Sequence, residues 1–233
     1  MSLSSHQVSF NEFVVKNRVI GIFDKPITLK SGRQSYWYVN WRTVAENVRL
    51  IDQLSDYVLW FVDGLKSSGE LKEYPNCFYG VPEGATKIGL LSQIKYALRF
   101  TNRDQEDMQI LSMGRGKSKE HGSPSDRFFL GQPRGRVIVI EDVTTTGGSL
   151  IQEIERLRLL DNVQIVAAIG LTNRMESNVE QRINEKFSIP YYAMSNALDL
   201  LPIVCKNVSN EILASIEEEF EKLEIKLNLR ETK

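Results

Sequence analysis

A chain of 233 residues, 42% hydrophobic and 25% charged, is long enough to bury its own core without the metal or disulfide staples of very small domains. Its 29 basic and 30 acidic residues give a net charge of −1, which excludes the basic surface of a general nucleic-acid binder. No apolar run reaches the roughly 18–20 residues that span a bilayer, and the first ten residues lack a basic segment followed by an apolar core, so neither a membrane nor a nucleic-acid partner is expected and the expected location is cytoplasmic. Cys77 and Cys205 stand far apart without CxxC spacing, and His6 and His121 complete the histidines, so no disulfide framework or histidine-rich metal site is expected.

In chain order, residues 5–20 carry Phe10, Phe13, Val14 and Asn17 at helical spacing, with Ser4 and Ser5 as caps. Segments 21–29 and 35–40 read as strands joined by a turn at Lys30, Ser31, Gly32 and Arg33. A long amphipathic helix follows, with Leu50, Ile51, Leu54, Val58, Phe61, Val62 and Leu65 on one stripe and Gly69 as its stop. An alternation then begins: strand 77–81, helix near 86–98, strand 109–113, strand 137–141, a helix reaching Leu160, strand 163–171, helix near 178–187, strand 190–194 and a C-terminal helix near 209–226. The runs at 137–140 and 165–169 are continuously apolar, as in strands covered on both faces by crossover helices. The expected architecture is a doubly wound, mainly parallel α/β core over 46–208, with residues 1–45 forming a small subdomain over it and a C-terminal helix in 209–233. Residues 114–136 break the pattern: a polar connection of this length is either a functional, mobile loop or a solvated hairpin.

The most informative window is VIVIEDVTTTGGSL, residues 137–150. A buried strand delivers Glu141 and Asp142 to its C-terminal end, the edge of an open α/β sheet where ligands bind. Val143, Thr144, Thr145, Thr146, Gly147, Gly148 and Ser149 then lead into a helix; glycines admit an anion close to the backbone, and helix N–H groups and hydroxyls supply donors. Carboxylates for hydroxyls beside a phosphate cradle fit a phosphorylated sugar. GxGxxG and Walker A patterns are absent. An acid pair that ligates a metal, and a plain strand-to-helix turn, remain open on the residues alone.

This window resembles the ribose-5-phosphate fingerprint of the type I phosphoribosyltransferases, which use 5-phosphoribosyl 1-pyrophosphate (PRPP). Three further segments resemble the orotate phosphoribosyltransferases: TLKSGRQS at 28–35 with aromatics and Asn40 after it; Arg115, Lys119, Glu120, His121 and Gly122, in the order of that family's mobile catalytic loop; and Arg174, after the strand ending at Leu171. The resemblance covers about residues 25–175 and implies the type I phosphoribosyltransferase fold, with a hood subdomain, a mobile catalytic loop and transfer of the phosphoribosyl group to orotate.

By that resemblance, Glu141 and Asp142 hold the ribose hydroxyls, Asp142 counting among the catalytic residues, Thr144 to Ser149 cradle the 5′-phosphate, and Val143 is also among the PRPP-binding residues. Lys119, His121 and Arg115 assist departure of pyrophosphate from the loop, while Lys30 lies near both substrates. Tyr38, Val39 and Thr145 lie beside the base, and Arg174 meets the orotate carboxylate through a bidentate guanidinium. Mg2+ is implied as a companion of PRPP rather than as a metal held directly by protein, and a homodimer that shares the loop between subunits is implied as the assembly. Three positions depart from the family: Val39 stands where an aromatic is common, and Glu83 and Gly84 stand in the pyrophosphate-binding segment where an aromatic or threonine and then a basic residue are common. Lys87 is the replacement cation nearest in sequence. The fingerprint alone also admits a transferase for another base, or a PRPP-sensing regulator without catalysis; Arg174, the Lys30 segment and the loop cations favour the orotate enzyme.

Overall fold

The computed structural model describes residues 3–29, 32–99, 109–175 and 178–230. Its centre is a four-stranded parallel sheet of β3 (Cys77–Gly80), β6 (Gly135–Thr144), β7 (Val163–Asn173) and β8 (Tyr191–Ala193), in the order β3-β6-β7-β8. Because successive strand residues point to opposite faces, the apolar runs feed two cores. Cys77, Tyr79, Val137, Val139 and Ala168 pack with α6 (Gly148–Leu157) and α7 (Val179–Phe187). Phe78, Ile138, Ile140, Ala167 and Ile169 face the opposite core, shared with α3 (Val48–Ser67) and α4 (Thr86–Leu98). Helices therefore cover both faces, as the unbroken apolar runs require. The Asn47 side chain starts α3 by accepting from the N–H groups of Arg49 and Leu50, at 3.0 and 3.2 Å.

Over the C-terminal edge of this sheet lies an antiparallel hairpin of β1 (Ile20–Thr28) and β2 (Gln34–Val39). It is held from both ends of the chain. On the N-terminal side, α1 (Leu3–Lys16) contributes Phe10, which stacks on Trp41 at 5.7 Å, and the Trp41 indole donates to the Thr172 hydroxyl of β7 at 3.1 Å. On the C-terminal side, α8 (Ala197–Val204) packs on β1 and α9 (Asn210–Glu221) on β2. Phe220 of α9 stacks on Trp37 at 6.0 Å, while the Glu219 carboxylate accepts from the Ser35 hydroxyl at 2.9 Å and the Tyr36 N–H at 3.1 Å.

The tail after α9 returns to Glu217, whose buried carboxylate accepts from the Leu229 and Arg230 N–H groups at 2.6 and 3.1 Å and from the Arg230 guanidinium at 2.6 Å. Burial opposes the charge, but these hydrogen bonds outweigh it and hold the Glu217 pKa below the ordinary 4.5. A carboxyl depressed in the folded state stabilises the fold above the ordinary value and loses that contribution as pH falls through the depressed one. Glu217→Gln is therefore expected to lower stability at neutral pH by roughly 1.5–3 kcal/mol, the worth of a charged hydrogen bond. The gap between wild type and variant should close on acidification below pH 4.5, as measured by paired melting curves.

Three sequence expectations are corrected. Helix α1 spans Leu3–Lys16, so Ser4 and Ser5 lie within its described backbone rather than before it. Residues 109–113 form no strand of the main sheet: Met113–Gly114 (β4) instead pairs antiparallel with Phe129–Leu130 (β5), which takes up the backbone hydrogen bonds that an added sheet edge would use. The excursion between them contains α5 (Pro124–Phe128). Helix α8 escaped the sequence reading because Pro202 lies inside it, and an interior proline removes a helical donor.

Candidate active site

A cleft of about 710 Å³ opens between the C-terminal ends of β6 and β7 and the strand β2 above them. Strand β6 delivers Glu141, Asp142, Val143 and Thr144 to it. Glu141 is 6% exposed, and its Oε2 has no hydrogen-bond partner among the described residues. Burial first, and then the Asp142 carboxylate beside it, push the Glu141 pKa well above the usual carboxylate range. A ligand hydroxyl donating to that buried oxygen would relieve its isolation. The Asp142 carboxyl packs directly against the backbone of Gly84, leaving no room for a side chain at position 84. Glycine at this departure from the family pattern is therefore what lets β6 present its second acid.

Thr144 is turned into the sheet, its hydroxyl hydrogen-bonded to Tyr191 at 2.5 Å, so it offers the cleft little of its side chain. The cradle is built from Thr145, Thr146, Gly147, Gly148 and Ser149, all of which line the cleft. Gly147 takes a left-handed conformation (φ +76°) that favours glycine, and it starts α6 without a side-chain cap. The first N–H groups of α6 thus remain available to an anion, at the positive end of the helix. The Arg182 guanidinium of α7 braces the turn through the Thr146 carbonyl.

Arg174 follows β7 directly. Its N–H donates to the Thr144 carbonyl at 2.8 Å, and its guanidinium lies 4.0 Å from the centre of the Trp37 ring. At 3% exposure it is a buried charge supported by an aromatic face, yet it lines the cleft. Tyr38 and Val39 enter from β2, Val39 buried and Tyr38 exposed. Glu83 and Gly84 also line the cleft, Gly84 beside Asp142. Sequence reading did not pick Arg42, in the short helix α2 (Arg42–Ala45), although it lines the cleft with Asn40 and Trp41. The signal available was Asn40, whose side chain accepts from the Arg42 N–H at 3.1 Å and so turns β2 into α2.

Other candidates lie elsewhere. Lys30 falls outside the described residues. Arg115, Lys119 and His121 stand on the excursion between β4 and β5 and do not line the cleft; from that segment Gly116 does, against the Glu83 carboxylate. The excursion is pinned at its root rather than wholly solvated. Phe129 is buried edge-on to Tyr79 at 6.0 Å, the Tyr79 hydroxyl donates to Glu153 of α6 at 2.5 Å, and Arg156 bridges Glu153 at 2.9 Å and the Phe128 ring at 5.4 Å. Burial, followed by the Glu153 charge, raises the Tyr79 pKa far above its ordinary value, so the phenol stays a donor. Lys87 does not line the cleft; its ammonium donates to the Ala45 carbonyl at 3.1 Å, fastening α4 to α2.

No protein-family model matches the chain. Among curated relatives, the orotate phosphoribosyltransferase of Aquifex aeolicus is 28% identical over 191 residues, 81% of this chain and 94% of the relative. That of Methanococcus maripaludis is 27% identical over 187 residues, 74% of this chain and 92% of the relative. Among solved structures, orotate phosphoribosyltransferase from Francisella tularensis superposes with a TM-score of 0.63 at 19% identity, covering 92% of this chain and 98% of that one. Adenine phosphoribosyltransferase from Leishmania donovani also superposes, at a TM-score of 0.54 and 13% identity over 89% of this chain and 92% of that one, so the fold alone does not choose the base. The chain has the type I phosphoribosyltransferase fold, and the resemblance of its motifs to the orotate phosphoribosyltransferases is borne out by relatives of that name matched over most of their length.

Proposed function

We propose that the protein is an orotate phosphoribosyltransferase of pyrimidine biosynthesis, transferring the phosphoribosyl group of PRPP to N1 of orotate to give orotidine 5′-monophosphate and pyrophosphate. The observation that carries this reading is one cleft holding adjacent carboxylates, an uncapped helix N-terminus and a buried arginine on an aromatic ring. The α6 N-terminus takes the 5′-phosphate, Glu141 and Asp142 take the ribose hydroxyls, and Arg174 takes the orotate carboxylate. The sugar is thereby fixed at both ends, with C1′ facing the base, and a reaction between two bound partners gains from that alignment. As the C1′–oxygen bond breaks, positive charge grows on the sugar ring and negative charge on pyrophosphate. The acid pair faces the first, and the loop cations Lys119, His121 and Arg115 answer the second once the excursion closes.

Mg2+ accompanies PRPP in this reading. The carboxylates of Glu83, Glu141 and Asp142 line the cleft, and Mg2+ is commonly held by one or two carboxylates together with substrate phosphates. The ion supplies charge neutralisation on the diphosphate. Because the loop cations stand away from the cleft of their own chain, the homodimer with a loop reaching into the neighbouring site is part of the proposal. A cytoplasmic location is part of the proposal, in keeping with two free, buried cysteines.

The test is loss of orotate absorbance on adding PRPP and Mg2+, repeated with adenine, hypoxanthine and uracil. Turnover of another base in place of orotate would overturn the assignment. Arg174→Ala is expected to raise KM for orotate about ten- to a hundredfold, matching a charged hydrogen bond of about 1.5–3 kcal/mol, with a much smaller change for PRPP. Equal movement of both constants in steady-state kinetics would remove Arg174 from the carboxylate.

A further inference from the structure

We propose that Arg42 binds the pyrophosphate group of PRPP, acting from the hood in place of any cation in the 79–87 segment; this rests on the reading of the cleft as a PRPP site. The cleft is rich in acids, with Glu83, Glu141 and Asp142 along its walls. A diphosphate in such surroundings needs a cation, and a planar guanidinium with several donors suits phosphate oxygens best. Among the described residues, two cationic side chains line the cleft: Arg174 and Arg42. Arg174 is committed to the β7 end, buried and stacked on Trp37. Arg42 is exposed, and its guanidinium makes no hydrogen bond or ion pair with any described residue, so its charge is available to a ligand.

Position strengthens the assignment. Arg42 opens α2, and the carbonyl of Ala45 at the end of that helix receives the ammonium of Lys87 from the first turn of α4. The segment joining β3 to α4 holds Glu83 and Gly84, so α2 is fastened to the element that follows directly on this wall. Lys87 thus holds in place the helix that carries a cation of the cleft. The Asn40 side chain, accepting from the Arg42 N–H, holds the entry to that helix at the same edge. Arg42 and the uncapped N-terminus of α6 then offer two phosphate positions in one cleft, with the ribose-binding acids also lining it.

The experiment is calorimetric titration of wild type, Arg42→Ala and Arg42→Lys with Mg2+-pyrophosphate, Mg2+-PRPP, ribose 5-phosphate and orotate. Arg42→Ala is expected to weaken pyrophosphate and PRPP about ten- to a hundredfold and to leave ribose 5-phosphate within about twofold, with Arg42→Lys recovering part of the loss. Unchanged pyrophosphate affinity, equal weakening of all four ligands, or weakening confined to orotate would each overturn the role of Arg42 alone. If wild type binds neither PRPP nor pyrophosphate, the PRPP reading fails and the role of Arg42 falls with it.

Discussion

Lys119→Ala is expected to lower kcat by about two to three orders of magnitude while PRPP affinity changes little, because its charge matters chiefly as pyrophosphate departs. The side chain is exposed, and its backbone N–H is bonded to the Arg127 carbonyl at 3.0 Å, so the substitution removes an ammonium without disturbing a core. Single-turnover and binding measurements separate the two effects. The same variant tests the shared-site arrangement. Mixed with Asp142→Asn and reassociated, it should give hybrid dimers in which one site combines a wild-type acid pair with a wild-type loop. Random pairing makes about half the dimers mixed, each with one good site of two, so recovery should approach roughly a quarter of wild-type activity. Background activity despite demonstrated subunit exchange would place the loop within its own chain.

Asp142→Asn is expected to weaken PRPP about ten- to a hundredfold, since an amide cannot accept two ribose hydroxyl protons as a carboxylate does and a charged hydrogen bond is worth about 1.5–3 kcal/mol. Gly84→Ala should act in the same direction with both acids retained, because its methyl group would occupy the place of the Asp142 carboxyl. Ribose 5-phosphate titration reads both. Retained affinity in Asp142→Asn would remove this residue from the sugar site; retained affinity in Gly84→Ala would show that Asp142 can shift and still bind.

The strands, the acid pair and the cradle were legible because burial and chemistry there coincide with local sequence. Apolar runs such as 137–140 can lie only in a sheet covered on both faces, and Glu141 and Asp142 follow directly on that run. Arg42 and the true partner of Lys87 were not legible, since both depend on how α2 meets α4 across more than forty residues of intervening chain. A threonine run looks uniform in sequence; Thr144 lines the cleft with the others, yet the β6 pleat and Tyr191 take its hydroxyl toward the interior. The excursion read as a polar loop, while its aromatic root emerges from packing against Tyr79 and Arg156.

The stack of Phe220 on Trp37, and of Trp37 beneath Arg174, also bears on the order in which the molecule is assembled. The Ser35–Glu219 hydrogen bond spans 184 positions, and contacts of such separation close late, after the large loop entropy has been overcome. During synthesis the parallel sheet can gather its strands while the hairpin still lacks its cover. The side of the cleft assigned to the base takes its final shape when Phe220 has left the ribosome, so the phosphate end is built first and the selective end last.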